Sequence, residues 1–182
     1  MQEIVLSDNV KPALEWVNNR ILQKVSPARK HAIAQGRFYS ALDGWASERE
    51  AGTVGTEWRF QVMPPGEIRR SLVPDVGYLS YERMPRDEQE ITDAPAAAPD
   101  AVVEVLSTSD RLRDVEEKVR VYLAAGTKVI FLVNTTLRTV EIRDRDGHRL
   151  ISQDEFVEHS SLPGLRFIAR ELFDVQKRQR SS

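Results

Sequence analysis

An α/β fold with a mixed central β-sheet and helices on both faces is what this sequence predicts. Three stretches predict it. AVVEVLS, from Ala101, is a short apolar run bounded by Pro99 before and Ser, Thr and Asp after, as a buried strand would be. RLRDVEEKVRVYLAAG follows with apolar residues at helical spacing and ends at Gly126, a suitable C-terminal cap. KVIFLVN is then a second fully apolar strand. A strand that passes through an amphipathic helix into another apolar strand indicates a parallel crossover, and hairpins on either side make the sheet mixed.

The remaining elements follow in order. PALEWVNNRILQ sets Leu14, Val17 and Ile21 on one face and reads as a short helix. The next stretch opens with Ser26 and Pro27, an N-cap and first-turn proline, and continues with Phe38, Leu42 and Trp45 at helical spacing. Gly52 and Gly55 are expected to break the chain before WRFQVM, which alternates like a strand. PDVGYLS (74–80) enters a second strand through Pro74, and RMPRDEQEITDAPAAAP reads as an exposed loop. After KVIFLVN, LRTVEIRDRDGHRLI forms a hairpin about Asp146 and Gly147. LPGLRFIARELF closes a single domain spanning 1–182, with 175–182 a frayed basic tail.

Composition narrows the class without naming an activity. The chain has 182 residues, 41% apolar and 30% charged, with a net charge of -2, so one globular domain with a full core is expected. That charge argues neither for nor against a polyanionic partner. With no cysteine, disulfides and thiolate metal sites are excluded, which fits a cytoplasmic setting. No apolar run reaches the roughly eighteen residues of a membrane helix, and the N-terminus lacks the pattern of a signal peptide.

One residue is out of place in this reading. Glu104 lies inside AVVEVL and shares a strand face with Val102 and Leu106. A buried carboxylate needs a partner or a proton. Asp75, at the start of the neighbouring strand, is its natural companion, and two close carboxylates are reconciled by a cation. Oxygen ligands alone favour Mg²⁺ or Mn²⁺. Lys118 can reach the same place. The strand advances about 16 Å from Glu104, and a helix packing back antiparallel returns about 12 Å by Lys118. Tyr122 shares the lysine's helix face.

Pro74 and Asp75, then Glu104, Val105 and Leu106 on an apolar strand, then Lys118 on the next helix, resemble the PD-(D/E)xK nuclease superfamily. More closely, PDVGYLS, APDAVVEVLSTSD, EEKVRVYLAAG, KVIFLVN, RTVEIRDRDG and LPGLRF resemble the Uma2 family of restriction-type endonucleases over 26–173. That resemblance implies a restriction-endonuclease-like fold, DNA as the partner, Mg²⁺ or Mn²⁺ as cofactor, and a homodimer. It also implies Asp75, Glu104 and the Val105 carbonyl as metal ligands, with Asp75, Glu104 and Lys118 catalytic and Tyr122 at most accessory. The chain departs from the superfamily at one position: Leu106 stands where the lysine is expected, and Lys118 would supply the ammonium from the helix.

Simpler readings stand beside these. Glu104 and Lys118 could form a structural ion pair, and Asp75 could be strand-entry punctuation. Asp100 is expected to be structural. Asp110 and Asp114 suit the first turns of a helix, where Ser107, Thr108 and Ser109 would provide its N-cap. His31 is expected to cap or pack on its helix, His148 to be exposed and His159 to sit in a loop. Arg69, Arg70, Arg111 and Arg113 flank the proposed site and are candidates for phosphate contact. The rival functions are a catalytically silent DNA-binding or assembly module on the same fold, and a nuclease for RNA or branched DNA.

Overall fold

A computed structural model describes residues 13–23, 28–108 and 110–174. Ser26 and Pro27, Ser109 and the tail from 175 lie outside the described residues. The chain begins with strands β1 (Leu14–Val17) and β2 (Arg20–Gln23), followed by helix α1 (Arg29–Glu48). Strands β3 (Gly52–Thr56), β4 (Phe60–Val62), β5 (Arg70–Leu72) and β6 (Val76–Ser80) come next, then the short helix α2 (Arg86–Glu90). After these, β7 (Ala101–Leu106), α3 (Leu112–Ala124) and β8 (Val129–Asn134) form the crossover. Strands β9 (Thr139–Arg143) and β10 (His148–Ser152), then β11 (Phe156–Val157) and β12 (Phe167–Ile168), complete the fold.

Six strands make the central sheet in the order β10-β9-β8-β7-β6-β3. β7 and β8 run parallel, as the intervening helix requires, and the other neighbours are antiparallel. Strand alternation divides the core. Ala101, Val103 and Val105 of β7 pack with Ala34, Phe38 and Leu42 of α1. Val102 packs with Val119, Val121 and Tyr122 of α3 on the opposite face. The result is a helix–sheet–helix sandwich with β7 at its centre.

Several expectations are corrected here. PALEWVNNRILQ is a β-hairpin and not a helix: Leu14 pairs with Gln23 and Val17 with Arg20. Asn18 and Asn19 between them adopt φ of 49° and 57°, the left-handed pair a tight hairpin turn needs. Ile21, expected on a core face, is 54% exposed. Gly52 and Gly55 do not break the chain but lie within β3. A side chain at Gly52 would place Cβ 2.2 Å from the Leu79 carbonyl oxygen, so the edge strand closes on β6 only because the residue is glycine. The stretch 83–99 is not merely an exposed loop. It contains α2, and buried Gln89 donates to the carbonyls of Ser80 at 3.1 Å and Met84 at 2.8 Å.

α3 starts at Leu112, which is 74% exposed, and its N-cap position is Arg111, without a side-chain cap. Ser107 and Thr108 therefore do not cap it. Asp110, just outside the helix, instead accepts the Ser107 N–H at 2.7 Å. Asp114 does sit in the first turn. His148 is exposed, and His159 lies in a loop against Asp144 at 3.0 Å.

Asp100 binds three segments together. It accepts the Ser80 N–H at 2.9 Å and the Arg83 Nε–H at 3.1 Å, and it pairs with Lys128 at 3.1 Å. Burial pushes its carboxyl up, but the Ser80 N–H and the Arg83 guanidinium outweigh burial and hold it below its ordinary value of 3.8. A lowered folded-state value means that the stabilisation is present above the unfolded value and is lost as pH falls through the folded one. Asp100→Asn is expected to cost about 2 kcal/mol at neutral pH. In urea titrations the gap to wild type should narrow as the solution is acidified below pH 3.8.

Candidate active site

The candidate residues meet at one end of the sheet, where β7 finishes and β6 begins. The β6–β7 register pairs Val76 with Val103, and one step further it sets Asp75 opposite Glu104. Asp75 is 3% exposed and anchored through Oδ2, which accepts the Val105 N–H at 2.7 Å and faces Nε2 of His31 at 3.2 Å. The Asp75 main-chain oxygen accepts from Gln35 Nε2 at 2.9 Å. The first two turns of α1 thus grip the strand entrance from the other face of the sheet. His31 does not simply cap or pack on its helix: it meets the Asp75 carboxylate.

Glu104 points to the α3 side, as alternation requires, and is 8% exposed. Lys118 Nζ lies 3.4 Å from both of its carboxylate oxygens. The lysine's shortest contact is another carboxylate, Glu15 Oε2 at 2.7 Å. Sequence reasoning missed Glu15 altogether because it fell in a segment read as a helix. The signal was present: Asn-Asn between two alternating stretches marks a hairpin, and in that frame Glu15 shares the buried face of Val17.

The hairpin is held where Glu15 can reach. Asn18 Nδ2 donates to Asp114 Oδ1 at 2.7 Å, and Arg20 pairs with Asp114 Oδ2. Asp114, which shares a helix face with Lys118, therefore serves the hairpin and not the lysine. Arg70 is likewise committed, to Glu67 and to Glu117 at 2.9 Å, while Arg111 and Arg113 are exposed.

Glu104, Glu15 and Asp75 all act electrostatically on the Lys118 ammonium. Burial pulls the lysine's pKa down, but Glu104 and Glu15 outweigh burial and hold it well above its ordinary value. Lys118 is thus held as a cation in this cluster. Three carboxylates surround one ammonium in a largely buried cluster, with the His31 imidazole beside Asp75. Tyr122 lies behind them, fully buried, with its hydroxyl lacking a hydrogen-bond partner among the described residues. Burial first, then Glu104, Glu15 and Asp75, push its pKa well up, so it stays neutral.

The Uma2 family profile, described as "Putative restriction endonuclease", matches residues 2–173. This chain belongs to the Uma2 family. The match takes in the N-terminal hairpin, and with it Glu15, which the resemblance over 26–173 had left out. The crystal structure of "a putative nuclease belonging to DUF820" from Anabaena variabilis ATCC 29413 superposes on this Uma2 chain with a TM-score of 0.79. The two are 26% identical, over 90% of this chain and 91% of that one. No curated protein matches. The fold is restriction-endonuclease-like, with a mixed six-stranded sheet flanked by helices. Among the described residues, no helix is long and apolar enough to cross a membrane.

Removing the Tyr122 hydroxyl deletes a buried polar atom that has no partner to lose. Tyr122→Phe is therefore expected to leave the urea midpoint unchanged or to raise it by up to about 1 kcal/mol equivalent. A loss larger than that would mean that the hydroxyl is bonded in solution.

Proposed function

We propose that this Uma2 protein is a divalent-metal-dependent endonuclease that hydrolyses DNA phosphodiester bonds, with Mg²⁺ or Mn²⁺ as its cofactor. The observation that carries the reading is the convergence of two buried carboxylates, Asp75 and Glu104, beside the Lys118 ammonium at one end of the sheet. The donor set fits such an ion. Asp75 and Glu104 offer carboxylate oxygens, and the Val105 carbonyl is the third candidate ligand. No group of three or more His, Cys, Asp and Glu side chains among the described residues is arranged to hold a metal. Two carboxylates, with main chain, water and substrate phosphate completing the shell, are how Mg²⁺ is commonly held.

Bound there, the ion would polarise the scissile phosphate and lower the pKa of a water molecule. The protein's own groups do the rest. Asp75 is kept in one rotamer by the Val105 N–H, so one ligand is pre-set. Lys118 presents a permanent ammonium beside Glu104, suited to stabilising negative charge as it develops on phosphorus-bound oxygen. Apolar neighbours Val102, Val119 and Leu132 close the rear and keep the local dielectric low. A homodimer would present two such sites to two DNA strands.

A silent module on the same fold is favoured by one observation: Lys118 already pairs with two carboxylates, which a structural ion-pair cluster would also do. Nicking of supercoiled plasmid in Mg²⁺ or Mn²⁺ separates the readings. Glu104→Ala and Lys118→Ala are each expected to lower nicking about 100-fold or more. Equal cutting by wild type and Glu104→Ala would place the activity elsewhere. No cutting by either, with the variant less stable, would favour the silent module.

A further inference from the structure

We propose that Glu15 is a positioning residue that fixes the Lys118 ammonium independently of the metal-binding carboxylates, so the N-terminal hairpin is part of the active site. This rests on the nuclease reading above, in which Glu104 is a metal ligand.

The two oxygens of Glu15 have separate duties. Oε1 accepts the Val73 N–H at 2.8 Å, two residues before Asp75, and Oε2 meets Lys118 Nζ at 2.7 Å. One carboxylate thus bridges the strand-entry backbone that carries Asp75 and the helix that carries the lysine. Glu104 cannot do this work. Its oxygens stand 3.4 Å from Nζ, at the far limit of hydrogen bonding, whereas the Glu15 contact is short and charge-assisted. If Glu104 alone held Lys118, engaging Glu104 with a cation would compete with the lysine's placement. Glu15, with one oxygen on the Val73 N–H and the other on Lys118 itself, keeps the ammonium where it stands.

The cost of the arrangement also argues for function. Glu15 is 3% exposed, and a buried ion pair is often no more stabilising than apolar side chains of similar volume. A hairpin that only needed to pack could carry an aliphatic residue beside Val17. The built connection is specific: Asn18 and Arg20 clasp Asp114 one helical turn before Lys118, which sets the register of hairpin on helix.

The test uses Glu15→Gln, whose amide oxygen can still accept the Val73 N–H while the charge facing Lys118 is lost. In metal-free protein, ¹H–¹⁵N spectra of the lysine ammonium groups should show an ordered, slowly exchanging Lys118 signal in wild type. That signal should vanish in Glu15→Gln, with the Val73 amide still protected from exchange. In plasmid nicking, kcat should fall about 10- to 100-fold with KM little changed. Ile21→Ala, which trims an exposed side chain of the same hairpin and leaves Glu15, Asn18 and Arg20 in place, should retain near wild-type kcat below its own melting temperature. Glu15→Asp keeps the charge one methylene short and should show the same signature in weaker form, which covers the case in which Gln does not fold. An unchanged Lys118 signal in Glu15→Gln, or a kcat loss equally large in Ile21→Ala, overturns the proposal. If wild type does not nick DNA at all, the nuclease reading fails, and the ammonium spectra still decide what Glu15 does.

Discussion

The site depends on the Lys118 ammonium, largely but not fully buried on α3 with Glu15 at 2.7 Å and Glu104 at 3.4 Å. Removing one partner from a buried ionic cluster costs about 3–5 kcal/mol, because the charges left behind stay desolvated. Lys118 therefore makes it possible for β7 to carry a glutamate in an otherwise apolar strand and for the hairpin to bury another. It also ties three elements from distant parts of the chain: β1, β7 and α3. The sheet supplies the level at which they meet, since parallel β7 and β8 force the α3 crossover back over the face that Glu104 occupies.

Different anchoring explains how the two carboxylates differ. Asp75 sits where β6 enters the sheet, so α1 can reach it with His31 and Gln35 while its carboxylate takes a main-chain N–H of β7. That anchoring makes it the rigid member of the pair. Glu104 meets the lysine through both carboxylate oxygens at 3.4 Å, longer contacts than the one that anchors Asp75. The outer face of α3 is secured separately, by Glu67, Arg70, Glu117 and Arg120. The helix is thus fixed without using the site's own charges.

Much of this was legible in the chain. Period-two alternation put Glu104 on the face of Val102, and the rise of strand and helix brought Lys118 level with it. Asp75 was readable from Pro74 and the strand that follows. Three features were hidden. The hairpin imitated a helix because Leu14, Val17 and Ile21 happen to fall at helical spacing, while the decisive signal was the left-handed Asn18–Asn19 pair. Glu15 could not be recognised until that hairpin was. His31 carries no spacing signal toward Asp75, since the contact joins the start of α1 to a strand entrance some forty residues later and depends on tertiary packing alone. Gly52 misled in the opposite sense, as a breaker, because its close approach to Leu79 is invisible without the partner strand.

The central claim is that the buried carboxylates beside Lys118 exist to hold a divalent cation. Calorimetric titration of Mn²⁺ into the purified protein, beside the double variant Asp75→Asn, Glu104→Gln, tests it most directly. Saturable uptake by wild type that disappears in the variant, with both proteins folded, is the predicted result. Equal uptake by the two, or none by a folded wild type, would contradict the account and leave the cluster as a structural ion-pair network.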